Sequence, residues 1–135
     1  MAHLTLENAR AKLAGADEAF VQLFTHGSLE VEYYQPSKVD HQTPHERDEI
    51  YVIVSGSGEF INGDDRHPFT SGDVLFVPAG RDHRFVDFTE DFAAWVFFYG
   101  PKGGEADTAK KLSAEEQMAA YEDALKEEDW GHQPC

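Results

Sequence analysis

The chain has 135 residues, 41% hydrophobic and 27% charged, which is the profile of one ordinary globular domain. Its formal net charge of −15 sets it against nucleic-acid phosphate and anionic lipid, so neither nucleic acid nor a membrane is an expected partner. No run approaches the roughly 18–20 apolar residues of a membrane span. The single cysteine, Cys135, is the last residue and has no internal disulfide partner. The N-terminal stretch has no apolar core of a secretory signal, so a cytoplasmic protein is expected.

In chain order, Leu6, Ala9 and Leu13 recur at helical spacing, with Thr5 as a cap and Gly15 as a stop. This predicts a short helix lying on the outside of the main body. Strands follow over 19–25 and 28–35, flanking a turn at His26-Gly27. Further strands are predicted over 49–54, 58–61, 66–70, 74–77, 83–88 and 92–99. The pair Asn62-Gly63 marks a hairpin whose two turn residues both require positive φ. Short strands at regular spacing with no long intervening helix argue for a sandwich or barrel and against a parallel α/β sheet. Residues 101–111 read as a linker. Ser113 and Glu116 form a capping box, and Ala114, Met118, Tyr121 and Leu125 form an apolar stripe on a C-terminal helix. That helix packs on the barrel or on a partner subunit, or forms a lid. It is acidic: residues 101–135 hold nine acidic side chains against four basic ones.

Two stretches carry the chemistry. In HQTPHERDEIYVIVSGSG, His45 is followed by Glu49 and then by Gly56. In GDVLFVPAGRDHRFVD, Gly72 is followed by Pro78, Gly80 and His83, with Asp87 closing the pattern. These stretches resemble the two motifs of the cupin superfamily. The first motif is matched at its second histidine (His45), its glutamate (Glu49) and its closing glycine (Gly56). The second is matched at Gly72, Pro78, Gly80 and His83, with Asp87 where the family has asparagine. Ser37 stands at the place of the opening glycine, and Thr43 at the place of the first histidine.

The resemblance implies one domain over 1–135. It would be an eight-stranded antiparallel jelly-roll barrel over 17–100 with short terminal helices, and residues 101–135 read as the linker plus the acidic C-terminal helix. It implies one divalent transition metal (Fe, Mn, Ni or Zn) held by His45, Glu49 and His83, a small-molecule ligand and a homodimer. Strand parity agrees with this set. His45 and Glu49 share a face that Asp48 does not, although four residues of straight strand span about 13 Å, so the chain must bend between them. Two imidazoles and a carboxylate form a facial set with open positions. His41 shares the parity and is a further candidate for a fourth ligand, and Thr43 is placed to hold a metal-bound water. A metal-free polar pocket is the alternative.

Parity also offers Tyr51 beside Glu49 and Phe85 beside His83 as pocket walls, with Phe97 on the last strand; core packing is the plainer role for these rings. Arg81 is a candidate for pairing with an anionic substrate, or else a solvated loop residue. Arg47 is undecided in the same way. Three functions remain open: a metal-dependent oxygenase or isomerase acting on a small organic molecule, a non-catalytic small-molecule binder, and a metal-free barrel acting in protein association. No phosphate-binding glycine loop, dinucleotide fingerprint or nucleophile elbow is present.

Overall fold

The computed structural model describes residues 2–105, 118, 119 and 122. By contact density the chain divides into two units, residues 1–105 and 106–135. In the second, Met118, Ala119 and Glu122 have helical backbone; the rest of the expected C-terminal helix, its capping box and Cys135 lie outside the described residues.

The first unit opens with α1 (Leu6–Ala14). The Thr5 hydroxyl accepts from the Asn8 amide at 3.1 Å, and Gly15 closes the helix, as the capping pattern predicts. Eight strands follow: β1 (Phe20–His26), β2 (Leu29–Tyr34), β3 (Asp48–Ser55), β4 (Ser57–Asn62), β5 (Asp65–Thr70), β6 (Val74–Val77), β7 (His83–Val86) and β8 (Ala93–Tyr99). They form two antiparallel sheets, β1-β2-β8-β3-β6 and β5-β4-β7. Their ladders do not join the strands into the single closed barrel expected from sequence. Among the described residues no helix is long and apolar enough to cross a membrane.

The hairpin at Asn62-Gly63 is displaced by one residue from its sequence reading. Asn62 stays in β4 and pairs with Asp65, leaving Gly63-Asp64 as the two-residue turn. Gly63 has φ 61° and Asp64 is not in the positive region, so one turn residue, not two, needs that conformation. Gly56 is more constrained. Its φ is 83°, and a Cβ there would sit 2.6 Å from the Phe92 Cα. Asp87, at the family's asparagine place, also has positive φ (49°), a conformation that Asn and Asp tolerate best among side-chain-bearing residues.

Strand alternation sorts the side chains. Tyr34, Tyr51, Ile53, Leu75, Val77, Ala94, Val96 and Phe98 of the large sheet meet Phe60, Phe69 and Phe85 of the small sheet, and Phe92 joins them from the turn before β8. The opposite face of the large sheet is covered by α1, where Ala9 packs with Tyr33 and Ala93. Four polar residues, Asp40, Asp48, Glu49 and His83, are also buried, and the site forms around them.

Candidate functional site

β3 starts at Asp48, and the chain bends at Glu46 and Arg47 just before it. That bend meets the distance requirement read from the sequence. His45 folds back over the strand, and its Nε2 comes to 3.6 Å from Glu49 Oε2. His83, the first residue of β7, faces them from the other sheet, with Nε2 3.2 Å from Glu49 Oε1. Side-chain donor atoms of His45, Glu49 and His83 all lie within 4.8 Å of one another. The two motifs are also tied through backbone: the Gly80 amide donates to the His45 carbonyl at 2.7 Å.

Asp48, the acid that parity sets aside, has a structural role. Its carboxylate accepts from the Ala79 amide (2.9 Å) and the Glu105 amide (2.9 Å), so it holds two loops beside the site. Glu49 is different. It is 1% exposed, and among the described residues both its carboxylate oxygens lack a hydrogen-bond partner. Buried carboxylates are normally satisfied, because removing that charge from water is expensive. The Glu49 oxygens instead face two imidazole nitrogens across gaps of 3.2 and 3.6 Å.

The imidazoles are held in distinct states. His83 Nδ1 lies 3.0 Å from the Arg81 carbonyl, which accepts only, so Nδ1 carries a proton and Nε2 faces the centre. Burial opposes a charge on His83, but Glu49 and the Arg81 carbonyl outweigh it and raise its pKa. Burial lowers that of His45, with Glu49 partly opposing.

Beneath the centre the Tyr51 hydroxyl donates to Gln42 Oε1 at 2.8 Å and lies 3.1 Å from His83 Nε2. Burial and the Glu49 carboxylate keep this phenol protonated, far above the ordinary tyrosine range. Behind it Asp40, 2% exposed, accepts from the Tyr34 hydroxyl (2.7 Å), the Gln42 amide (2.9 Å), the Gln42 side chain (3.1 Å) and the Phe85 amide (2.9 Å). Neither Asp40 nor Gln42 is singled out by the sequence reading. They lie in an irregular loop with no strand period, where no spacing rule signals an inward side chain.

A cavity of about 660 Å³ opens over His45 and Glu49, with Val96 and Phe98 on its wall. A second depression reaches His83 and Gln42 from elsewhere. His41 and Thr43 border the larger cavity, but His41 lies outside the His45–Glu49–His83 cluster. The expected wall residues Tyr51, Phe85, Phe97 and Arg81 do not line it. Tyr51 and Phe85 are inside the core at 0% and 1% exposure. Phe97 alternates with Phe98 and so takes the opposite face of β8. The Arg81 side chain lies along Gly63 at the β4–β5 turn. Parity gave the face of Phe85 correctly, but the core fills that face before the cavity begins.

The cavity rim is acidic. Glu18, Glu30, Glu32 and Glu46 line it. Arg47 pairs with Glu30 at 3.0 Å and Lys102 with Glu46 at 3.5 Å. Glu32 has no ion-pair partner among the described residues. In register it lies two strands from Tyr51, across Val96, which places its backbone about 10 Å from that of β3. Burial, reinforced by Glu30, Glu49 and Glu18, raises its pKa from 4.5 to about 7. A carboxyl raised in this way opposes folding once ionised. Its penalty is absent below pH 4.5 and grows until the pH passes about 7. Glu32→Gln is therefore expected to stabilise the protein by about 1 kcal/mol at pH 8, allowing for solvent screening of a partly buried group, and by almost nothing at pH 4. Denaturant melts at the two pH values check this; equal effects would contradict it.

The family model for the cupin domain matches residues 30–99. A Streptomyces coelicolor protein of uncharacterised function is 32% identical over 99 residues, covering 72% of this chain and 94% of that protein. Mannose-6-phosphate isomerase of Cryptococcus neoformans is 37% identical over 70 residues, which is 50% of this chain but 16% of that enzyme. Among solved structures, a cupin-2 domain protein of Shewanella frigidimarina has a TM-score of 0.56 at 11% identity, over 72% of this chain and 95% of that one. KdgF of Halomonas has a TM-score of 0.52 at 20% identity, over 61% and 78% of the two chains. At these identities the structural likenesses bear on fold alone.

Proposed function

The chain belongs to the cupin family, and from that premise we propose that it holds one divalent transition metal with His45, Glu49 and His83 and acts on a small organic molecule in the adjoining cavity. In this reading the two sheets are the walls of a jelly-roll barrel. The observation that carries the proposal is Glu49: a buried carboxylate whose two oxygens have no hydrogen-bond partner among the described residues, set between two imidazole nitrogens. The gaps also suit a metal. Donors bound at about 2.1 Å lie about 3.0 Å apart on an octahedron and about 3.4 Å apart on a tetrahedron, against 3.2 Å between His83 Nε2 and Glu49 Oε1 and 3.6 Å between His45 Nε2 and Glu49 Oε2. Outer contacts orient the set, because the Arg81 carbonyl fixes the His83 tautomer.

Of the two chemistries, isomerisation has the more support. Such a metal polarises a carbonyl or hydroxyl oxygen of the substrate. The remaining requirement is a group that moves a proton near neutral pH, and Glu32, raised to about 7 on the cavity wall, meets it. Val96 and Phe98 provide an apolar wall between the two. The acidic rim repels anions, so the preferred substrate is an uncharged carbonyl compound rather than a phosphate ester.

Element-resolved mass spectrometry of untagged protein is the primary test. About one metal per chain is expected in the wild type and less than a tenth of that in Glu49→Ala. The chemistry is read by exchange of carbon-bound hydrogen in D2O across uncharged aldoses and ketoses. Exchange that is lost in Glu32→Gln with metal content unchanged supports the isomerase reading. A wild type that takes up no metal on reconstitution removes it.

A further inference from the structure

Thr43 stands where the family pattern has its first histidine, so the motif itself provides three donors. The structure sets a different side chain, Gln42, directly against His45. We propose that Gln42 is a fourth metal donor, through its amide oxygen; this rests on the metal-binding reading above. Gln42 Oε1 lies 3.1 Å from His45 Nε2 and 2.8 Å from the Tyr51 hydroxyl, which itself lies 3.1 Å from His83 Nε2.

The direction of the amide is set from behind. Gln42 Nε2 donates to Asp40 Oδ2 at 3.1 Å, and the Gln42 backbone amide donates to Asp40 Oδ1 at 2.9 Å. Exchanging the side-chain oxygen and nitrogen would press an amide oxygen against a carboxylate oxygen, so Oε1 is the atom that faces the centre. Asp40 is in turn fixed by the Tyr34 hydroxyl and the Phe85 amide, from two different sheets. The oxygen is thus presented by a buried, fully bonded support rather than by a free loop side chain.

Without a cation, the contact between Gln42 Oε1 and His45 Nε2 requires a proton on that nitrogen, because the oxygen only accepts. An imidazole that binds a metal through Nε2 has no proton there. Two lone pairs would then oppose each other at 3.1 Å, a repulsion relieved by a cation that both atoms ligate. That separation also fits the edge of about 3.0 Å between neighbouring donors at bonds of about 2.1 Å. Gln42 therefore trades a hydrogen bond for a coordinate bond without leaving Asp40. The resulting set has two nitrogens and two oxygens. It is harder than one with three imidazoles, and it tilts preference towards Mn(II) and Fe(II) relative to Zn(II).

The test titrates the metal-free full chain with Mn(II) and with Zn(II), for wild type and for Gln42→Met, which keeps side-chain length and removes the oxygen. Mn(II) affinity is expected to fall about tenfold or more, and Zn(II) affinity by less. A second readout uses the unaltered sequence: with 13C-labelled glutamine, the Gln42 side-chain carbonyl resonance moves on Zn(II) addition with the same midpoint as metal uptake. Mn(II) affinity within twofold of wild type in Gln42→Met, or a carbonyl resonance that stays still while Zn(II) binds, overturns the assignment. A wild type that binds neither metal overturns the metal-binding reading itself, and with it this inference.

Discussion

Glu49→Gln is expected to remove most of the thermal stabilisation that added metal confers while leaving the metal-free protein folded. A metal present at 100 times its Kd stabilises the folded state by about 2.7 kcal/mol, which is about 10 °C of melting temperature in a domain of this size. The wild type should show a shift of that order with its preferred metal. After a hundredfold loss of affinity the variant should show about 0.4 kcal/mol, or about 2 °C, at the same concentration. Loss of an outer partner alone lowers metal affinity about 10–100-fold, and loss of the only carboxylate of the His45–Glu49–His83 set should do at least as much. The metal-free variant is a fair comparison. Glutamine fills the same volume, and a buried carboxylate with two unpartnered oxygens is replaced by a neutral amide. His83 loses the carboxylate that helps raise its pKa and becomes an ordinary neutral imidazole, so no unpaired charge is left behind. The metal-free melting temperature should therefore stay within about 3 °C of wild type, a change under about 1 kcal/mol. Calorimetry of both proteins with and without metal decides it. An equal metal shift in the two would mean that Glu49 is not a ligand and that its burial has some other cause.

The readable parts of this molecule are those where backbone period controls side-chain direction. Glu49, Tyr51 and Ile53 alternate inward on β3, and His83 and Phe85 do so on β7. Glycine marked the turn between β3 and β4, where Gly56 at φ 83° with the Phe92 backbone against it tolerates no side chain. The need for a bend between His45 and Glu49 also followed from distance alone. What failed to show lies between β2 and β3. Asp40 and Gln42 are polar residues in a loop, and their sequence is indistinguishable from that of a solvated turn. Burial of Asp40 depends on Tyr34 and on the Phe85 amide, groups from strands distant in the chain. Glu32 was hidden for another reason. It alternates between Val31 and Tyr33, which reads as the wet face of a half-buried strand. Here α1 covers the Tyr33 face, so Glu32 points to the cavity side. The same ambiguity misplaced Phe97. Both faces of β8 carry aromatic rings, and only the register with β2 and β3 tells which one is inside.

Phe85→Ala is expected to be among the most destabilising single truncations in the first unit, and to remove the site with it. The Phe85 ring is 1% exposed and meets Tyr51 at 4.9 Å, Phe60 at 4.6 Å, Phe69 at 5.2 Å and Phe92 at 4.6 Å between centroids. Those neighbours come from both sheets and from the turn before β8, so the ring joins the two layers. Removing it takes away apolar burial and leaves a cavity that aromatic neighbours close poorly, at a cost of about 3–5 kcal/mol. Against the usual 5–15 kcal/mol of a domain, that is a large fraction. Phe85→Leu should cost about 1–2 kcal/mol, since most of the volume remains. Phe97→Ala, on the outward face of β8, should cost less than either. The coupling to the site follows from β7. Phe85 is two residues from His83, and its amide donates to Asp40, which aims Gln42. Loss of the ring loosens His83 and the Asp40–Gln42 support together. Metal affinity in Phe85→Ala should therefore fall at least about tenfold, while Phe85→Leu retains it. Urea melts and metal titrations on the three variants separate core from cavity wall. A Phe85→Ala protein that loses less than about 1 kcal/mol would mean that the ring is not packed between the sheets, and that the wall role suggested by its parity is the correct one.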